Sequence, residues 1–91
     1  MSLEQRVKIV PEIIWREMDG NAVVVSPKDG QVRVFNEVGT SIWHDLIAGQ
    51  TLAQIKERLI ELYDVSEQQA TQDLDSFLKE LLDRGILNYN A

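Results

Sequence analysis

The 91-residue sequence contains no cysteine, a single histidine and only two prolines. Without thiols it can build neither a disulfide framework nor a thiolate metal site, and it fits a reducing compartment such as the cytoplasm. His44 has no second histidine or cysteine to join it, so it reads as a surface or boundary residue rather than a metal ligand. Long apolar runs are also missing. No stretch approaches the roughly 18 residues that a membrane span requires, and no secretory signal is expected at the start. Catalytic signatures are absent too. There is no Ser-His-acid order, no phosphate-cradling glycine loop and no dinucleotide fingerprint. Gly39-Thr40-Ser41 lacks the flanking pattern of a nucleophile elbow. Asp73, Asp75, Glu80 and Asp83 could be imagined as an acid–base pair, but a solvated helix face explains them better. Neither an enzyme nor a cofactor is expected.

Basic clusters are scarce as well. Residues 1–35 carry five acids and five bases, whereas residues 36–91 carry ten acids and four bases, so the whole net charge of −6 lies in the C-terminal part. That distribution repels a polyphosphate backbone and an anionic membrane surface. Neither nucleic acid nor membrane is an expected partner.

What is present is an ordinary globular composition, 44% hydrophobic and 26% charged, on the scale of one domain over residues 1–91. The N-terminal third reads as strands. Ile13–Met18 is the first, and Asp19-Gly20-Asn21 is a turn signal. Ala22–Val25 is short and β-branched, which predicts a strand buried on both faces. In Ser26-Pro27-Lys28-Asp29-Gly30, proline presets φ and glycine accepts positive φ, so a hairpin turn follows. Gln31–Phe35 returns, with Val32 and Val34 on one face and Gln31 and Arg33 on the other.

Asn36 then switches strand to helix within one residue. Its side chain can accept from the free amides of a first turn, with Glu37 at the positive end of the helix dipole. The spacing predicts a helix over Glu37–Ile47 with a stripe of Val38, Ile42 and Leu46, flanked by Trp43 and Ile47. Gly39 costs about 1 kcal/mol against alanine there, which reads as close backbone packing against the sheet rather than a ligand role. Thr51-Leu52-Ala53-Gln54 is a capping box opening a second helix, with Leu52, Ile55, Leu59 and Leu62 at helical spacing. Ser66-Glu67-Gln68-Gln69 reads as another box, opening a third helix over about Glu67–Arg84 with Ala70, Leu74, Phe77, Leu78, Leu81 and Leu82 on its apolar side. Gly85 suits the position after its end. Ile86–Tyr89 is a short last strand or an extended tail. Three N-terminal β-strands followed by three α-helices make one segregated α+β domain, like a winged helix-turn-helix with its hairpin moved to the front.

The ordered set Phe35-Asn36-Glu37-Val38-Gly39, Ile42-Trp43, Gly49-x-Thr51, Ile55, Leu59, Tyr63-Asp64-Val65, Asp73, Phe77-Leu78, Leu81 and Gly85-Ile86-Leu87 resembles the PqqD-like family. The resemblance runs from Val34 to Leu87. It implies a non-catalytic peptide chaperone of the kind that recognises the leader of a ribosomally made precursor peptide. In the pyrroloquinoline quinone pathway such a domain presents the leader to a radical SAM enzyme. The leader binds as an added strand in a groove lined by the third helix. Carried onto this chain, the resemblance implies peptide-binding positions at Gln31, Val32, Arg33, Val34 and Phe35, and at Asp73, Phe77, Glu80 and Leu81.

Each of these positions has a plainer alternative. Arg33 either meets a leader acid or blunts the edge against aggregation, and Phe77 and Leu81 favour core over groove. Asp73 and Glu80 suit a leader with basic residues. Two other functions fit less of the sequence. One is an adaptor or dimerisation domain; the other is a winged-helix nucleic-acid binder, although residues 66–84 hold five acids against two bases. Edge strands also invite self-pairing, so a homodimer through exchanged strands is compatible with the sequence.

Overall fold

A computed structural model describes residues 6–89; residues 1–5 and 90–91, including the start where no secretory signal was expected, lie outside the described residues. Four strands precede three helices, and a fifth strand ends the described chain: β1 (Val7–Ile9), β2 (Ile14–Met18), β3 (Asn21–Val25), β4 (Val32–Val34), α1 (Glu37–Ile47), α2 (Leu52–Tyr63), α3 (Glu67–Asp83) and β5 (Leu87–Tyr89). β2, β3 and β4 form an antiparallel meander, while β1 pairs with β5 in a separate two-stranded sheet. Strand β1 is absent from the sequence reading, and Leu87–Tyr89 is a strand rather than a tail. The register Val7↔Tyr89, Lys8↔Asn88, Ile9↔Leu87 ties the two ends of the described chain together.

The helix boundaries follow their caps. Asn36 accepts from the Gly39 amide at 2.8 Å, and Thr51 and Gln54 exchange both bonds of a capping box. Ser66 accepts from Gln69 N–H, but the Gln69 side chain turns away to donate to Asp73 at 2.8 Å, so only half of the expected second box forms. Helix α3 ends at Asp83, with Arg84 as its cap. Gly85 has φ +73°, the left-handed conformation that glycine adopts freely.

The core lies between the helices and the inner faces of the sheets. Trp43, Ile42, Leu52, Ile55, Leu74, Ala70, Leu81 and Ile86 are buried, with Ala22 and Val24 presented by β3. Strand β3 alternates between buried and half-buried positions and is not enclosed on both faces as expected. Ile47 and Leu62 continue the helical spacing yet are exposed, because both stripes drift off the core at the helix C-termini. Gly39 fits the close approach inferred for it. A Cβ there would meet Phe35 Cβ and the Phe77 ring edge, each at 3.2 Å.

Candidate peptide-binding groove

The junction between β4 and α1 shapes the site. Phe35 N–H donates to Ala22 O at 2.9 Å, as in an ordinary antiparallel ladder. The return bond is relayed. Ala22 N–H donates to Thr40 Oγ1 at 3.0 Å, and that hydroxyl in turn donates to Phe35 O at 3.4 Å. Asn21 Nδ2 donates to the same carbonyl at 2.6 Å. A helical hydroxyl is thus inserted where the strands part. It lets β4 leave the sheet and turn at once into α1 without orphaning a buried amide. Nothing in the sequence around Thr40 signals this role.

The register also decides which backbone groups are free. Ser26 N–H donates to Gln31 O and Phe35 N–H to Ala22 O, so residues 31, 33 and 35 are the hydrogen-bonded partners of β3. In an antiparallel pair the intervening residues point their amides and carbonyls the other way. Val32 and Val34 therefore present theirs at the open edge, beyond which no described strand is paired.

Helix α3 flanks that edge. Arg33, half-exposed on the inner side of β4, forms an ion pair with Glu80 of α3. Arg84 Nε lies 3.9 Å from the same carboxylate. The Phe35 and Phe77 rings stack edge-on with centroids 5.0 Å apart. Two adjoining hollows lie here. One of about 300 Å³ is lined by Asn36, Val38, Gly39, Ile42, Asp73, Ser76, Phe77 and Glu80. The other, of about 180 Å³, adds Arg33, Val34 and Phe35. The far end is braced by the β3–β4 turn: Lys28 donates to Asp83 O at 3.2 Å, and Arg84 reaches Asp29 at 3.4 Å. Asp29 accepts from the Gln31 amide, and mainly for that reason its carboxyl titrates below the usual value.

Most of the residues singled out in the sequence meet here. Arg33, Val34, Phe35, Asp73, Phe77 and Glu80 line one continuous groove. Val32 sits on the same edge with its side chain exposed, and Gln31 lies at the turn within 3.4 Å of Arg84. Leu81 lies apart, 1% exposed in the core. Asn36, Val38, Gly39, Ile42 and Ser76 are groove residues that the sequence reading did not single out as such. Asn36 and Gly39 belong to the junction motif that could have flagged them.

A larger hollow of about 510 Å³ occupies another face of α1. In it the buried Asp45 accepts from Arg58 Nε at 2.9 Å. His44, half-exposed, pairs with Glu17 there. No group of three or more potential metal ligands occurs among the described residues, and no described helix is long and apolar enough to cross a membrane.

Comparison with known proteins places this geometry. Residues 21–87 match the family model described as coenzyme PQQ synthesis protein D (PqqD). No curated protein matches in sequence. Among solved structures, TbiB1 in complex with the TbiA(beta) leader peptide superposes with a TM-score of 0.83 at 25% identity, covering 92% of this chain and 98% of that one. A lasso peptide synthetase B1 complexed with the leader peptide gives 0.81 at 22% identity, covering 91% and 98%.

Proposed function

This chain belongs to the PqqD family, and we propose that it binds the leader of a ribosomally made precursor peptide and presents it to a peptide-modifying enzyme, without chemistry of its own. The observation that carries this reading is the open β4 edge facing α3 across a groove. An extended peptide can add as a further strand by bonding to the amides and carbonyls of Val32 and Val34, which supplies affinity independent of side chains. Specificity then comes from alternate side chains of the guest. One set faces the hollow lined by Val38, Gly39, Ile42 and Phe77. The polar rim is Asp73, Glu80 and Arg33. A basic leader residue pairs with Asp73 or Glu80, and a leader acid competes with Glu80 for Arg33.

A radical SAM protein or another modifying enzyme would receive the presented peptide. Self-pairing of two copies through β4 would occupy the same backbone groups, so a homodimer of that kind and the leader complex exclude each other. With five acids against a single lysine, α3 repels a nucleic-acid backbone. The test is calorimetric titration of the chain with synthetic leaders taken from short open reading frames that neighbour its gene, each alongside its scrambled sequence. Saturable one-to-one binding of the native order alone is expected. Equal binding of both peptides, or of neither, removes the reading.

A further inference from the structure

The side of the sheet turned away from the helices is bare. At the alternating outward positions of β2, β3 and β4 the register sets Ile14 beside Val25 and Val32, and Arg16 beside Val23 and Val34. Ile14 is 66% exposed, Met18 56%, Val32 61% and Val34 66%. Small domains seldom leave a contiguous apolar patch on one face unless something covers it. The face is also electrically distinct from the rest of the molecule. In a chain of net charge −6 it carries no acid, and its one ionisable side chain is Arg16.

We propose that this outer face docks the peptide-modifying enzyme, and that the bound leader completes it; the second half of this inference rests on the leader-binding reading above. Two features choose the occupant. The first is charge. A second copy stacked on the face would bring another Arg16 and no acid to meet it. A partner with an apolar surface and a carboxylate suits the face better. The second is continuity. A strand added along β4 continues the same sheet, widens it by about 4.8 Å, and projects every second side chain onto the outer side. Val32 and Val34 then stop being a rim and become the middle of a four-stranded surface. The enzyme therefore meets a larger apolar face on the loaded chain than on the empty one. By linkage, the enzyme must tighten leader binding by the same factor as the leader tightens enzyme binding.

The test uses the double variant Ile14→Glu/Met18→Glu. Both residues are exposed on β2, separated from the peptide edge by β3. A peptide-modifying enzyme whose gene neighbours that of the chain, identified beforehand, is titrated with free chain, with leader-saturated chain, and with the variant in both states; leader affinity is measured separately. The expected result is enzyme affinity raised roughly tenfold by the leader and lost in the variant, whose melting temperature and leader affinity match wild type. Two outcomes overturn the inference: a variant that docks the enzyme as tightly as wild type, or a loaded chain that binds it no better than an empty one. If the leader fails to bind at all, the earlier reading falls, while the variant in the leader-free arm still decides whether the face is a docking surface. Dimerisation of the wild type that the variant abolishes, with no enzyme bound, would assign the face to a second copy instead and refute the choice of partner.

Discussion

Proline at position 34 should separate folding from peptide capture. In wild type the Val34 amide points away from β3, because residues 33 and 35 make the ladder bonds to Val24 and Ala22. Proline lacks that N–H, and its fixed φ is tolerated on an edge strand. The fold therefore loses no internal hydrogen bond, and its stability should change by less than about 1 kcal/mol. A guest strand loses more. The missing donor removes a net contribution of about 1 kcal/mol, and the guest carbonyl left facing it pays a desolvation cost of about 1–3 kcal/mol. A loss of about 2–4 kcal/mol corresponds to an affinity lowered roughly 30- to 900-fold. Arg33→Pro is the control. It breaks a bond to Val24 inside the sheet and should destabilise the protein itself by about 3 kcal/mol. The assay is fluorescence anisotropy of a labelled leader, with urea denaturation of each variant. A Val34→Pro chain that is folded and binds the leader as wild type does would refute strand addition at this edge.

Other perturbations probe the scaffold. Thr40→Val keeps the shape but deletes the relay between Ala22 N–H and Phe35 O; a loss of about 1–3 kcal/mol is expected in urea titration, and an unchanged midpoint would remove the relay from the account. Gly39→Ala gains about 1 kcal/mol of helix propensity yet places a methyl 3.2 Å from Phe35 and Phe77. Net destabilisation together with weaker leader binding is expected, and a stabilised variant would contradict the tight fit. Asp29 titrates below its ordinary value of 3.8, chiefly through the Gln31 amide bond. Its contribution is therefore complete above that value and is lost as pH falls through the lowered one. Asp29→Asn should flatten the acid limb of the stability profile, and superimposable profiles would show that the turn bond contributes nothing.

How far the sequence revealed this protein differs by feature. The helices were legible because their start signals are local: Asn36, Thr51 and Ser66 each act on an amide three residues away. The meander was legible from its turns. β1 was not, since Val7–Ile9 is three residues long and becomes a strand only by meeting β5 at the other end of the chain. Alternation in β4 separated two faces without saying which would be buried. The buried choice fell on the side where Arg33 could pair with Glu80, leaving the valines outside. Gln69 shows the limit of motif reading, because a second acceptor one turn on, Asp73, captured the side chain that the capping box required. The groove as a set of residues was readable through the junction motif and the spacing on α3. The sequence favours core for both Phe77 and Leu81; Leu81 is buried there while Phe77 lines the groove, because groove and core stripes on one helix lie a fraction of a turn apart.

Residue-resolved amide hydrogen exchange, with and without the leader, tests the central claim most directly. The amides of Val32 and Val34 should exchange rapidly in the free chain and become protected on peptide binding, while Arg33 and Phe35 are protected in both states. Protection of Val32 and Val34 before any peptide is added, or leader-induced protection along β2 instead, would contradict the account.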